Sequence, residues 1–156
     1  MTLPELQVIA GFEHLVQLLN QDVAVTPYLK VTQGKIDAFA EVSMDRQWIH
    51  VDPTRAKAES PFKGTIAHGL FSLSMAANFL MSGVKMQGVQ YGLVTGLNYV
   101  RFVSAVPVDS NIRGRIRLMQ CERLKDSTQA AWMITVEREG GMIPSCVAEF
   151  MVRYYG

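Results

Sequence analysis

The chain has 156 residues, 49% of them hydrophobic and 19% charged, with 15 basic side chains against 14 acidic ones. That length encloses one core, and the apolar fraction excludes a disordered chain. A formal charge of +1 supplies no basic surface for nucleic acid. No apolar run reaches the ~18 to 20 residues that cross a bilayer, and Met1-Thr2-Leu3-Pro4-Glu5 lacks the basic stretch of a secretory signal. Cys121 and Cys146 form no CxxC pair. They read as small buried hydrophobes in a reducing cytoplasm, with neither a zinc site nor a disulfide framework.

One domain is expected over residues 1–156. Residues 4–20 read as an amphipathic helix, with Leu6, Ile9, Phe12, Val16 and Leu19 at spacings of three and four. Residues 20–31 read as irregular, broken at Thr26-Pro27. Thr32 can cap a second helix carrying Ile36, Phe39 and Ala40. The periodicity fails over residues 44–52, which we read as a loop. Asp52-Pro53 then opens a short helix, Asp as cap and Pro at the first position. Residues 69–84 are apolar in nearly every direction, interrupted by Ser72, Ser74, Asn78 and Ser82. Such a helix must be enclosed by protein.

Residues 89–154 read as strands. Ile112, Gly114, Ile116 and Leu118 alternate with Arg113, Arg115 and Arg117, which predicts a strand with one wet face. Further strands are expected over 128–138 and 142–154, joined by Gly140-Gly141. The sum is an α+β fold of the hot-dog kind, an antiparallel sheet wrapped around a long central helix. Half of such a sheet leaves an edge uncovered and favours pairing with a second copy.

The stretch Met44-Asp45-Arg46-Gln47-Trp48-Ile49-His50 holds a carboxylate, an amide and an imidazole. On a helix Asp45 and His50 would point about 140° apart, and on a strand they would face opposite sides. Only a curled segment turns both toward one water. There the imidazole could accept a proton while a nearby acid returns one to the substrate. Gln47 could orient the water. A second candidate is Ala67-His68-Gly69-Leu70, at the start of the long helix. Gly69 lets a ligand oxygen approach its backbone N–H, and the helix N-terminus favours negative charge there. His68 reads as a hydrogen-bonded brace for the turn, with proton transfer as the alternative. Asp52 reads as a cap, and the Arg113, Arg115 and Arg117 row as a solvated face. No HExxH, GxSxG, GxGxxG or phosphate-loop pattern occurs, so no metal site is expected.

These two motifs, in this order, resemble the MaoC-like dehydratases, the (R)-specific enoyl-CoA hydratase (hydratase 2) family. The wording Asp45-Arg46-Gln47-Trp48-Ile49-His50-Val51-Asp52, with Gly96-Leu97-Asn98-Tyr99 later, is similar to the NodN-like branch. The resemblance implies a hot-dog homodimer and reversible syn hydration of trans-2-enoyl thioesters to (R)-3-hydroxyacyl thioesters. Asp45 and His50 would take the catalytic positions, and Gly69 the position that polarises the thioester carbonyl. Gln47 stands where many members have Asn, Met44 where they have Gly, and Trp48 where they have Pro. A serine of the central helix falls at Ala77. No cofactor is implied, because the substrate itself carries coenzyme A or acyl carrier protein. A hot-dog acyl-CoA thioesterase and a non-catalytic acyl-thioester-binding protein are the alternatives.

Overall fold

Alternating apolar and charged residues from Asn111 onward build the centre of the molecule. The computed structural model describes residues 2–156. Its first half contains β1 (Gln7–Ile9), α1 (Phe12–Gln17), β2 (Asp22–Val25), β3 (Leu29–Lys30), α2 (Gln33–Ser43), α3 (Trp48–Val51) and α4 (Pro53–Glu59). Its second half contains α5 (Gly69–Gly83), β4 (Val84–Met86), β5 (Tyr91–Phe102), β6 (Asn111–Arg123), β7 (Thr128–Arg138) and β8 (Cys146–Tyr155). Six strands form one antiparallel sheet, in the order β2-β6-β7-β8-β5, with β3 also on β6. β1 and β4 form a separate parallel pair.

Helix α5 rests on β6, β7 and β8. The sheet face beneath it carries Ile116, Leu118, Trp132, Ile134 and Phe150, all buried. Two glycines set how close the helix comes. A side chain at Gly114 of β6 would put Cβ 2.5 Å from the Cβ of Phe79. One at Gly83 would collide with the tip of Ile116. On the opposite face the arginine row is not simply solvated. Arg113 and Arg115 both pair with Glu137, while Arg115 and Arg117 reach Asp22. Two carboxylates are thus shared among three guanidiniums. Cys146 is buried, Cys121 half-buried, and both thiols are unpaired.

Several expectations are corrected. Residues 4–20 are not one helix. Gln7–Ile9 pairs with Val84–Met86, and Gly11, at φ +91°, turns the chain before α1. Helical spacing holds only across α1, Phe12–Gln17. Residues 20–31 are not wholly irregular, because β2 and β3 lie along β6. The 44–52 loop contains one helical turn, α3. Helix α5 stops at Gly83, and Val84 already belongs to β4. The last strand begins at Cys146, after an irregular segment from Met142. Nor does one chain enclose α5, since Leu70 is 59% and Met81 80% exposed. The Thr32 cap on α2 and the Asp52 cap on α4 form as the sequence suggests.

Candidate active site

The site begins where α2 ends. Met44 closes that helix in the left-handed region, at φ 62°, a conformation that costs a non-glycine residue ~1 to 2 kcal/mol. It redirects the chain so that Asp45 leaves the helix axis. The Asp45 amide donates weakly to Ser43 Oγ, and the Asp45 carboxylate accepts from the Gln47 amide, each at 3.4 Å. The turn is therefore held by its own polar atoms. One helical turn later α3 delivers His50, which is 8% exposed. Asp52 ends α3 and accepts from the Arg55 amide at 2.9 Å. Its carboxylate is used up as a cap.

The tautomer of His50 follows from its partner. Its Nδ1 lies 2.7 Å from the Ile66 carbonyl, and a carbonyl can only accept, so in the neutral ring Nδ1 carries the proton. The lone pair is then on Nε2. Burial, foremost, pushes the His50 pKa below the ordinary imidazole range. The charge of a protonated His68 acts in the same direction, whereas the Ile66 bond and the Asp45 charge oppose it. The ring is thus kept as a neutral base.

His68 comes from the loop before α5, yet it belongs to the same cluster. It is 3% exposed, and its ring stacks on His50 with centroids 3.8 Å apart and planes at 25°. Its Nε2 lies 2.9 Å from the backbone carbonyl of Asp45. One donor-type atom from each of Asp45, His50 and His68 lies within 4.8 Å of the others. These are atoms that a metal could also use. Two of the four ring nitrogens, however, are already given to carbonyls, and His68 Nδ1 is buried without a partner. The carboxylate, His50 Nε2 and His68 Nδ1 remain, and of these the carboxylate and His50 Nε2 suit a shared water molecule.

Beside this cluster lies a cleft of about 220 Å³, whose walls include His50, Gly69, Ser72, Phe102, Ser104 and Val106. The amide of Gly69 opens α5, where first-turn donors have no helical partner, and the His68 side chain does not cap them. The space that a Gly69 side chain would need is taken by Phe102, whose ring carbons start 3.1 Å from an ideal Cβ. The absent side chain therefore admits both an aromatic wall and an approach to the amide.

Asp45, His50, His68 and Gly69 are thus brought together, while Gln47 is not. Its side chain is exposed, makes no hydrogen bond among the described residues and is not on the cleft wall; only its amide touches Asp45. His68 and Asp45 are not on the cleft wall either, so of the cluster only His50 borders the cleft directly. Trp48 lies under Arg55, whose guanidinium carbon is 4.4 Å above the ring. Sequence reasoning missed Gln33. That side chain donates to the His50 carbonyl at 2.8 Å and accepts from the Thr65 hydroxyl, fastening α3 between two segments. An amide on a helical turn carries no local mark of that role, because its partners lie 17 and 32 positions away.

Comparison with known proteins accords with this geometry. Residues 15–139 match the family described as MaoC like domain. The 3-hydroxyacyl-thioester dehydratase Z of Mycobacterium tuberculosis is 41% identical over 136 residues, covering 86% of this chain and 89% of that protein. Nodulation protein N of Rhizobium leguminosarum bv. viciae is 38% identical over 135 residues, covering 85% and 84%. The unliganded R-hydratase PhaJ1 of Pseudomonas aeruginosa superposes with a TM-score of 0.70 at 22% identity, over 86% of this chain and 79% of that one. Sheet, central helix and both motifs place the chain in the MaoC-like dehydratase family, with its hot-dog fold.

Proposed function

We propose that the chain is an (R)-specific hydratase of trans-2-enoyl thioesters, run in reverse as a 3-hydroxyacyl-thioester dehydratase. The observation that carries this reading is the meeting of the Asp45 carboxylate with His50, within 4.8 Å, next to a cleft lined by His50 and Gly69. The names of two relatives, a thioester dehydratase and an R-hydratase, support it.

In this reading a water lies between the Asp45 carboxylate and His50 Nε2. His50 takes one proton as the water oxygen bonds to C3 of the enoyl group. The double-bond electrons move toward C2 and the thioester oxygen, where the Gly69 amide stabilises the enolate. The enolate collapses as C2 takes the proton back from the imidazolium, while Asp45 offsets the transient positive charge. One water is consumed, its hydroxyl at C3 and its proton at C2. Because one base serves both carbons, addition is syn. The thioester bond is untouched, which separates this chemistry from a thioesterase.

The test follows the loss of enoyl absorbance with crotonyl-CoA and longer trans-2-enoyl-CoAs. Asp45→Asn and His50→Ala should each lower kcat by ~10² to 10⁴, the usual range for general acid–base help, with each variant still folded by circular dichroism. Thiol release in place of hydration would identify a thioesterase. Parental rates in either variant would remove the assignment.

A further inference from the structure

We infer that His68 is a positioning residue, which ties the Asp45 turn to the start of α5 and so sets the carboxylate against the Gly69 amide. The inference rests on the hydratase reading above and concerns how its parts are held in register.

The hydrogen bond from His68 Nε2 to the Asp45 backbone carbonyl measures 2.9 Å and spans 23 positions of sequence. A carbonyl only accepts, so Nε2 carries the proton and the neutral ring keeps its lone pair on Nδ1. That Nδ1 is buried and has no partner among the described residues. The one hydrogen bond the ring makes among the described residues is therefore the one to Asp45. His68 is not itself on the cleft wall, and it makes no hydrogen bond to the Asp45 carboxylate among the described residues. Its ring is clamped between His50, at 3.8 Å, and Phe39 of α2, at 5.1 Å. A clamped ring has little freedom left to lose when it grips the carbonyl.

The neighbour of His68 gives the bond its consequence. Gly69 follows directly in sequence, and Asp45 is the residue whose carbonyl is held. One side chain therefore connects the residue that grips the water to the residue that receives the enolate. Asp45 is otherwise exposed, held by two weak bonds of 3.4 Å inside its own turn. Among the described residues no other hydrogen bond ties that turn to the start of α5.

Gln and Asn separate this role from mere space filling. The Gln amide nitrogen reaches about as far as Nε2, whereas the Asn amide nitrogen reaches only about as far as Nδ1. His68→Gln should keep kcat within about threefold of the parent. His68→Asn and His68→Ala should lose kcat on the order of 10²-fold, the scale of a misplacement near 1 Å, with KM changed little. A residue that only filled space would instead lower the unfolding temperature in step with activity, for Gln as much as for Asn. Equal losses for Gln and Asn, or losses confined to KM, would overturn the inference.

Backbone amide exchange gives a readout that needs no turnover. The amides of Asp45 and Gln47 should exchange at the parental rate in His68→Gln and faster in His68→Asn. If the parent chain hydrates no enoyl thioester, the hydratase reading fails. The exchange pattern still decides whether His68 holds the turn.

Discussion

Three ionisable residues in a short stretch have three separate fates, and the difference lies in what each backbone segment does. Asp52 is followed by Pro53, so its carboxylate caps α4 and is bound to the Arg55 amide. Asp45 follows a left-handed Met44, so its carboxylate is left with one long bond to an amide. His50 sits on a single helical turn pressed against Ile66, which fixes its tautomer and dries its surroundings. Because burial lowers its pKa, His50 stays a base to a lower pH than an exposed imidazole. On the proposed mechanism the acid limb of kcat/KM should therefore fall below the ordinary imidazole pKa of ~6.5. A limb at or above that value, in a chain with full hydratase activity, would exclude His50 as the base. The same depression acts on stability. Below ~6.5 the unfolded chain takes up a proton that the folded chain refuses. The contribution is complete above that pH and is lost as pH falls toward the folded pKa.

At the scale of elements, the closest packing is that of α5 on β6, and it depends on Gly114. The nearest atom to an added methyl there is the Cβ of Phe79, at 2.5 Å, part of the helix frame and not a movable ring edge. Gly114→Ala must push the helix off the sheet, and overpacking of this kind costs about 1 to 3 kcal/mol. Urea unfolding should show a midpoint lowered by an amount whose product with the slope matches that loss, and an unchanged midpoint would mean the helix has slack. The elements that were legible in sequence are those whose cause is local. Thr32 caps α2, Asp52-Pro53 opens α4, and the Arg113, Arg115, Arg117 alternation marks β6. The convergence of Asp45 and His50 was legible for a related reason, since no regular element could join them. What was illegible depends on distant partners. Gln7–Ile9 is a strand only because Val84–Met86 lies beside it, and Asp22–Val25 only because β6 does. Gln33 and the grip of His68 on Asp45 are likewise long-range, and no spacing announces them.

For the whole molecule, the sheet stops at β5, which pairs with β8 on one side and with no strand among the described residues on the other. Register says which of its side chains face the core side. Val94 is opposite Val152, Leu97 opposite Phe150, and Phe102 opposite Cys146, and all three partners are buried. Directly opposed residues share a face. Yet Val94, Leu97 and Phe102 are 53%, 42% and 50% exposed, and α5 leaves Leu70 and Met81 open on the same molecule. A free edge beside an apolar strip is what an extending sheet needs. A second copy, placed edge to edge through β5, would cover both, in keeping with the homodimer that the family resemblance implies. Phe102 also lies against Gly69 and lines the cleft, so the proposed pairing would steady one wall of the site. Sedimentation of the parent chain should give the mass of two copies, and Leu97→Glu, which sets like charges against each other across the joint, should give one. Activity of that variant should drop by up to about 10²-fold as the Phe102 wall loosens, while near-parental unfolding would show that each copy keeps its own core. A parent that sediments as a single copy at assay concentration would overturn the pairing and leave the strip to some other partner.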